Sequence, residues 1–161
     1  PREVFIDLAD RVKPFDWHIV VYFESPDLAD LKPFIESLAR DQVVVVDHMG
    51  RPDVGLGPEG SEFKAFMSLL YQNTNIWTKV SCPERLTKQA PDYSDVVPFA
   101  KALVEAFPTR VLWGTDWPHP NMKSHTPDDG SLVDIIPLIA ETEELRRQLL
   151  IENPMRLYWN S

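Results

Sequence analysis

Four short runs of β-branched and aromatic residues, each followed by a segment with helical spacing, constrain the fold of this chain most strongly. The clearest run covers residues 43–46, four valines with no alternating polar residue. Such a run indicates a strand buried on both faces, which is typical of a parallel sheet. Because the strand–helix pair repeats four times after an initial helix, the sequence predicts an α/β fold with parallel strands. The pattern is compatible with either a doubly wound sheet or part of a barrel.

The same patterns place the individual elements. Runs of strand-forming residues predict strands over 17–23, 43–46, 76–80 and 110–114. Apolar residues at spacings of three and four predict helices over 3–13, 28–38, 63–70, 96–107, 131–141 and 143–152. We expect Pro33 to mark a helix start or kink, and we expect loops over 50–60, 82–93 and 118–130, where breaker residues accumulate.

The composition excludes several classes of protein. Of the 161 residues, 43% are hydrophobic, which is enough for a packed core and excludes a disordered chain. The 25 acidic residues outnumber the 16 basic ones, and the net charge of −9 argues against a nucleic-acid-binding protein. No apolar run approaches the roughly 20 residues of a membrane span. A single cysteine, Cys82, excludes an internal disulfide, and no signal peptide opens the chain, so we expect a cytoplasmic protein.

Polar side chains follow every predicted strand at its carboxyl end. They are Tyr22 and Glu24 after the first strand, Asp47, His48 and Arg51 after the second, Ser81, Cys82 and Arg85 after the third, and Asp116 and His119 after the fourth. Parallel α/β proteins bind their ligands at this edge of the sheet. Since four successive strands carry such residues, we expect them to form one shared site.

Each candidate also has a simpler structural explanation. Asp47 and His48 could be a capping pair that satisfies loop amides. Asp116 could cap a turn, but a carboxylate between aromatic residues is costly unless it has partners or a function, which favours the functional interpretation. Arg85 could be a solvated loop cation, and Cys82 could be a small buried filler. Tyr22 could be an aromatic residue of the strand, and His18 and His125 could be isolated histidines without a role in the site.

Motifs of other chemistries are absent from the sequence. The chain contains neither G-x-G-x-x-G nor G-x-x-x-x-G-K-[ST], so no nucleotide-binding loop is indicated, and it contains no G-x-S-x-G nucleophile elbow. A metal site needs several convergent ligands. His48, His119 and Asp116 could supply some of them, but the sequence has no H-x-H pair.

Four segments together resemble one known family. They are Val-Val-Asp47-His48-Met-Gly-Arg51, Lys79-Val-Ser81-Cys-Pro-Glu-Arg85-Leu, Val-Leu-Trp-Gly-Thr-Asp116-Trp-Pro-His119-Pro-Asn121 and Glu152-Asn-Pro-Met-Arg-Leu-Tyr158. The chain is similar to the amidohydrolase superfamily, in the branch of the 2-pyrone-4,6-dicarboxylate lactonases and related hydrolases. The resemblance extends from Trp17 to Tyr158, and the first and third segments are fairly specific to that branch.

The resemblance implies the C-terminal part of a (β/α)8 TIM barrel with parallel strands. A complete barrel of this kind takes about 250 residues and at least about 200. The family's first strand carries an H-x-H pair, which this sequence lacks. We therefore expect residues 1–161 to be the C-terminal portion of a single barrel domain, with the N-terminal strands absent from the chain. Cys82 departs from the family pattern, because a small glycine is common at that position.

The resemblance also implies roles for the residues at the strand ends. Asp116 would be the general base that activates water, and His48 would polarise the carbonyl of a lactone. Arg85 would hold a substrate carboxylate through paired hydrogen bonds. Further substrate-binding residues would be Tyr22, Arg51, Ser81 and His119. We expect no metal, because the pyrone lactonases work without one, although His48 and Asp116 would be the ligands in a zinc-dependent relative.

Three functions are compatible with this reading. The first is hydrolysis of a carboxylated lactone, 2-pyrone-4,6-dicarboxylate, in the breakdown of lignin-derived aromatics. The second is a zinc-dependent lactonase or a decarboxylase of the same family acting on another substrate. The third is a self-contained flavodoxin-like binding or interaction domain. The expected partner is a small-molecule dicarboxylate lactone, with neither nucleic acid nor membrane.

Overall fold

A computed structural model describes residues 2–122 and 126–159, and a parallel sheet of four strands lies at its centre. The strands are β1 (Ile19–Val21), β2 (Val44–Val46), β3 (Ile76–Val80) and β4 (Val111–Trp113). They lie side by side in chain order, and each neighbouring pair is parallel. All four predicted strands are confirmed, with shorter bounds for all but the third. His125 lies outside the described residues.

Helices precede, connect and follow the strands. The first five are α1 (Arg2–Val12), α2 (Leu28–Ala39), α3 (Ser61–Gln72), the single turn α4 (Pro83–Leu86) and α5 (Val97–Ala106). After β4 come α6 (Asp129–Asp134), α7 (Ile136–Ile139), α8 (Glu143–Arg147) and α9 (Asn153–Tyr158). A π-helical turn, Gln148–Glu152, joins α8 to α9. Within the described part of the chain, no helix combines the length and apolarity needed to cross a membrane.

The structure corrects three expectations about these helices. The stretch 82–93 is not wholly a loop, because α4 begins at Pro83. Pro33 lies inside α2, beyond its first turn, so the expected helix start is not there, and the missing N–H removes the helical bond to the carbonyl of Ala29. The helix expected over 131–141 is divided into α6 and α7, because Pro137 sits in the first turn of a new helix.

The two faces of the sheet are covered differently. One face carries buried side chains from β2, β3 and β4 and half-buried ones from β1. Helices α2, α3 and α5 pack against this face through residues such as Ile35, Phe66 and Phe99. The other face carries Val45, Trp77 and Leu112, and the side chains of Val43 and Leu157 pack against them. A doubly wound sheet has helices on both faces and a reversal in strand order. Sequential strands with the main helices on one face form the wall of a barrel, so the flavodoxin-like alternative is wrong.

The amino ends of the strands are fastened by side chains that bind backbone carbonyls. The guanidinium of Arg110, just before β4, donates at 2.8–3.1 Å to three carbonyl oxygens, those of Leu70, Asn73 and Ile76. Asn153, which is fully buried, donates to two more at 2.7–2.8 Å, those of Pro108 and Val111. These bonds tie α3, β3, β4 and α9 together at the edge opposite the predicted site.

Candidate active site

The carboxyl ends of β2, β3 and β4 bring most of the predicted site residues together. We call the group of five the central cluster, and it consists of His48, Ser81, Cys82, Arg85 and Asp116. Hydrogen bonds connect all five side chains. Adjacent parallel strands end at the same edge, which is why residues more than 60 positions apart in the sequence meet here.

The backbone of this edge adopts strained conformations. Residues His48, Met49, Gly50 and Arg51 have φ angles of 53°, 59°, 67° and 56°, in the left-handed region. Cys82 and Asp116 follow their own strands with φ angles of 62° and 67°. Non-glycine residues rarely adopt this region, and such outliers concentrate at functional sites. At Gly50 a side chain would also press on the ring of Phe66, since a Cβ would lie 3.0 Å from it.

His48 is held in a defined orientation by two hydrogen bonds. Its Nδ1 lies 2.9 Å from Ser81 Oγ, and its Nε2 lies 3.1 Å from Arg85 Nη2. A guanidinium nitrogen only donates, so we assign Nε2 as the acceptor and Nδ1–H as the donor to Ser81. Burial lowers the pKa of His48 below its usual 6.5, although the charge of Asp116 opposes the shift. The imidazole is therefore neutral at pH 7 and presents its Nε2 lone pair to the centre of the cluster.

Arg85 is the hub of the central cluster. Its Nε donates to Cys82 Sγ at 2.8 Å, and its Nη2 donates to Asp116 Oδ2 at 3.0 Å as well as to His48 Nε2. Its side chain is only 14% exposed, which rules out a solvated loop cation. Asp116 Oδ1 lies 3.6 Å from His48 Nε2, so the carboxylate and the imidazole flank the guanidinium.

A second group, next to the cluster, consists of Tyr22, Glu24 and Arg51. The Tyr22 hydroxyl donates to Glu24, and this bond raises the pKa of Tyr22 and lowers the pKa of Glu24. Arg51 Nε donates to the other carboxylate oxygen at 3.3 Å. The Tyr22 ring packs edge-on against His48 with 5.9 Å between ring centroids. Buried Nη1 of Arg51 has no hydrogen-bond partner among the described residues, so it remains able to bind an anion.

His119 is not bonded to the central cluster among the described residues. Its Nδ1 lies 3.1 Å from Glu84 Oε1, and its Nε2 lies 3.3 Å from Asp129 Oδ1. The side chain of Glu84 is fully buried, and that of His119 is 3% exposed. This pair links the start of α4 to the loop after β4, beside Arg85 and Asp116. Nothing in the sequence pattern marks Glu84 as a partner of His119, because the residue falls in a stretch that resembles a polar loop.

Asp47, Cys82 and His18 each had a simple structural explanation in the sequence, and the structure shows what each of them contacts. Asp47 makes no capping bond to a loop amide among the described residues, and its Oδ1 lies 2.8 Å from the ammonium group of Lys79 on β3. Cys82 is buried, as predicted for a small filler, and burial raises its thiol pKa to about 12. It is nevertheless a member of the cluster through its contact with Arg85. His18 lies elsewhere, packed against Tyr158 near the amino ends of the strands.

The described residues contain one set of side chains that could hold a metal ion. His48, Cys82 and Asp116 each offer a ligand atom, and these atoms lie within 4.8 Å of one another. In this structure, however, the cationic guanidinium of Arg85 makes hydrogen bonds to all three residues. The ligand set therefore does not fit a divalent cation while Arg85 keeps this position.

Comparison with protein families and curated proteins gives a consistent result. The family model described as "Amidohydrolase" matches residues 2–159. A 2-pyrone-4,6-dicarboxylate hydrolase of Comamonas testosteroni is 53% identical over 167 aligned positions, which cover 99% of this chain and 54% of that protein. The chain thus spans about half the length of the curated relatives it matches.

Solved structures show the same fold. A protein of Acinetobacter baumannii, described as a probable 2-pyrone-4,6-dicarboxylic acid hydrolase with citric acid bound, superposes with a TM-score of 0.77 at 25% identity. The match covers 96% of this chain and 57% of that one. An amidohydrolase of Burkholderia multivorans with bound zinc superposes with a TM-score of 0.79 at 19% identity, over 95% of this chain and 56% of its own. These likenesses confirm the predicted partial barrel with parallel strands.

Proposed function

The chain belongs to the amidohydrolase family, and we propose that the protein hydrolyses a lactone that bears carboxylate groups, of the 2-pyrone-4,6-dicarboxylate type. In this proposal residues 1–161 are the C-terminal portion of a single barrel domain, and further binding residues belong to its N-terminal strands. The reaction would serve the breakdown of lignin-derived aromatics. The 53% identity to the Comamonas testosteroni hydrolase supports this substrate class.

The observation that carries the proposal is the pair of arginines around a carboxylate and a neutral histidine. Arg85 donates to Nε2 of His48, and Arg51 is bonded to Glu24, whose other partner Tyr22 packs against the His48 ring. Arg85 is bonded to Asp116, and Arg51 retains a free buried donor among the described residues. Guanidinium groups bind carboxylates through paired hydrogen bonds. Two of them beside a candidate base suit a dicarboxylate substrate.

In the proposed reaction, side chains of residues 1–161 carry the proton transfer and the polarisation of the carbonyl. Asp116 accepts a proton from water while the water oxygen forms a bond to the carbonyl carbon of the lactone. The ring C–O bond then breaks, and Asp116 returns the proton to the leaving oxygen. The open-chain product has a new carboxylic acid group, which loses its own proton to solvent. His48 polarises the carbonyl as negative charge develops on its oxygen. For this step the neutral ring carries its proton on Nε2 in place of the bond from Arg85, and Nδ1 then accepts from the Ser81 hydroxyl. Arg85 and Arg51 hold substrate carboxylates, and Tyr22 and Ser81 line the pocket.

The two alternative functions have less support. A zinc-dependent lactonase or decarboxylase would need the ligand set to accept a metal, and Arg85 is bonded to all three of its residues. A binding module without catalysis has no need of the left-handed backbone at His48, Cys82 and Asp116. We therefore infer metal-independent hydrolysis by a general base.

Replacement of the base tests the proposal. In the intact enzyme, Asp116→Asn is nearly isosteric but cannot take a proton from water, so kcat for hydrolysis of 2-pyrone-4,6-dicarboxylate should fall by about 10²- to 10⁴-fold. The matched control is Asp53→Asn, since Asp53 pairs with Lys88 on an exposed loop and should be dispensable. Both variants are compared with the wild type by the loss of pyrone absorbance. An Asp116→Asn protein that keeps more than a tenth of wild-type kcat contradicts the assignment.

A further inference from the structure

Each arginine of the candidate site is already paired with a carboxylate of this chain. Arg85 Nη2 lies 3.0 Å from Asp116 Oδ2, and Arg51 Nε lies 3.3 Å from Glu24 Oε2. A ligand carboxylate that binds either guanidinium through paired hydrogen bonds must therefore compete with one of these carboxylates. Two carboxylates at one guanidinium also repel each other, so we expect one of the resident carboxylates to yield when an anionic ligand binds.

The two pairs differ in how easily the carboxylate can leave. Asp116 is 15% exposed, follows β4 with a left-handed φ of 67° and is the candidate base, so the reaction needs it in place. Glu24 is 51% exposed and follows β1 on ordinary extended backbone, with φ −86° and ψ 142°. Its longer side chain can rotate toward solvent between staggered rotamers without a change in the backbone. Glu24 is therefore the carboxylate that can yield.

Glu24 also occupies a position that suits the carboxylate of a ligand. One of its oxygens accepts from the Tyr22 hydroxyl, and the other accepts from Arg51 Nε. The Tyr22 ring packs edge-on against His48, so this carboxylate lies one side chain away from the central cluster. The bond from Tyr22 and the charge of Arg51 lower the pKa of Glu24, so the group is an anion at pH 7. Glu24 thus makes the contacts with Tyr22 and Arg51 that a substrate carboxylate would make.

We propose that Glu24 is an internal stand-in for a substrate carboxylate. Without a ligand it holds Tyr22 and Arg51 in place, and the carboxylate of a bound ligand replaces it at both residues while Glu24 turns to solvent. Glu24 therefore lowers the affinity of the site for dicarboxylates, because the ligand has to break the bonds that Glu24 makes. The inference rests on the proposed function, since it takes the ligand to be a dicarboxylate.

Benzene-1,3-dicarboxylate is the probe, because it carries two carboxylates in the same meta arrangement as 2-pyrone-4,6-dicarboxylate but has no ester bond to hydrolyse. Titration calorimetry with the intact enzyme gives its Kd for each variant. Glu24→Gln keeps the shape but removes the charge that strengthens both bonds, so the probe should bind about threefold to tenfold more tightly. The matched control is Glu59→Gln, which removes the same charge from an exposed pair with Lys64 and should leave Kd unchanged.

A double-mutant cycle separates competition for Arg51 from a general effect of charge. Arg51→Gln alone should weaken binding of the probe. In that background Glu24→Gln should lose most of its gain, because the two carboxylates no longer compete for a guanidinium. An undiminished gain in the absence of Arg51 would show that Glu24 acts only through its electric field, and it would overturn the proposal.

Other results would also overturn the inference. Weaker binding in Glu24→Gln would show that Glu24 only positions Arg51. Unchanged affinity would mean that the ligand uses other donors of Arg51, such as the buried Nη1, beside Glu24. Absence of binding in every variant would remove the competition altogether.

Hydrolysis of 2-pyrone-4,6-dicarboxylate by the wild type is measured separately. Turnover without the expected changes in Kd contradicts this inference alone. The expected changes in Kd without turnover contradict the proposed function alone.

Discussion

Two arginines at opposite edges of the sheet each make three hydrogen bonds, but to different kinds of partner. Arg110, at the amino ends of the strands, donates only to backbone carbonyls, those of Leu70, Asn73 and Ile76. Arg85, at the carboxyl ends, donates only to side chains, those of His48, Cys82 and Asp116. Backbone carbonyls exist for any sequence, whereas each side-chain partner of Arg85 is a separate choice of residue.

The backbone shows the same contrast. Within the described residues, seven of the eight non-glycine residues with positive φ follow the carboxyl ends of the strands, and only Asp16 lies at the other end. Residues held in this region cost stability and persist only where their surroundings enforce them. A buried charge alone therefore does not identify a functional site. A buried charge whose partners are side chains, on a backbone with left-handed φ angles, does identify one.

The largest effect expected from this comparison is on stability. Arg110→Met keeps the aliphatic stem but leaves three backbone carbonyls without their charged donor, which should lower the free energy of unfolding by about 3 kcal/mol. Catalytic activity per folded molecule should not change. Urea unfolding and a hydrolysis assay below the transition measure the two quantities separately. A loss of kcat at full folding would mean that the amino-end edge is not purely structural.

At the opposite edge, Arg85→Met should act on substrate binding. Loss of a charged hydrogen bond to a carboxylate corresponds to about 1.5–3 kcal/mol, so KM for the dicarboxylate should rise roughly tenfold to a hundredfold. Steady-state kinetics with 2-pyrone-4,6-dicarboxylate give KM and kcat for the variant and the wild type. An unchanged KM would place Arg85 outside the substrate pocket.

The Glu84–His119 pair tests an intermediate case, because it joins side chains but lies beside the cluster rather than in it. Glu84→Ala should lower kcat about tenfold with little change in KM, since a small misplacement of Arg85 and Asp116 slows the chemistry. Glu84→Gln keeps a hydrogen-bond acceptor and should restore most of the rate. His119→Ala combined with Glu84→Ala should be no worse than either alone. Additive losses would show that the two residues act separately.

The smallest expected effect is a pH dependence of stability. Burial lowers the pKa of His48, so between its folded-state pKa and 6.5 the unfolded chain binds more protons than the folded one. The contribution of His48 to the free energy of unfolding is therefore fully present above pH 6.5, and it is lost as the pH falls through the pKa of His48 in the folded state. Urea unfolding between pH 7.5 and 5 should show this decline, and His48→Gln should flatten it.

His18 provides the comparison at the other edge. Burial also lowers its pKa, with the same sign of effect on stability. His18→Gln should flatten the stability profile but leave the hydrolysis rate unchanged, whereas His48→Gln should remove most of the activity. If His18→Gln and His48→Gln lost equal activity, the amino ends of the strands would not differ from the carboxyl ends in their importance for catalysis.

The sequence predicted the strands well because their signal is local. Unbroken runs such as residues 43–46 and 76–80 identify buried parallel strands without knowledge of what covers them. The order of the strands and the one-sided packing of the helices depend on distant contacts, so composition and periodicity left a doubly wound sheet open. The turn α4 escaped prediction because four residues are too few to show a helical period.

The site was predicted in part for the same reason. The carboxyl-end rule correctly grouped His48, Ser81, Arg85 and Asp116, since it needs only the positions of the strand ends. It could not say that His119 pairs with Glu84, because the two lie 35 positions apart and both are loop residues in the sequence pattern. The role of Arg85 as a hub also depends on distances that no sequence spacing encodes.

The order β2-β3-β4 also fixes the distance between the strand ends. Parallel strands repeat every ~4.8 Å, so the ends of β2 and β4 stand about 10 Å apart with β3 between them. The side chains of His48 and Asp116 reduce this to 3.6 Å between their nearest polar atoms, and Arg85 enters from the middle strand. The sheet cannot change its spacing to suit another side chain. Changes in ligand size must therefore be accommodated by side-chain length and by the loops, so Asp116→Glu is no milder a change than Asp116→Asn.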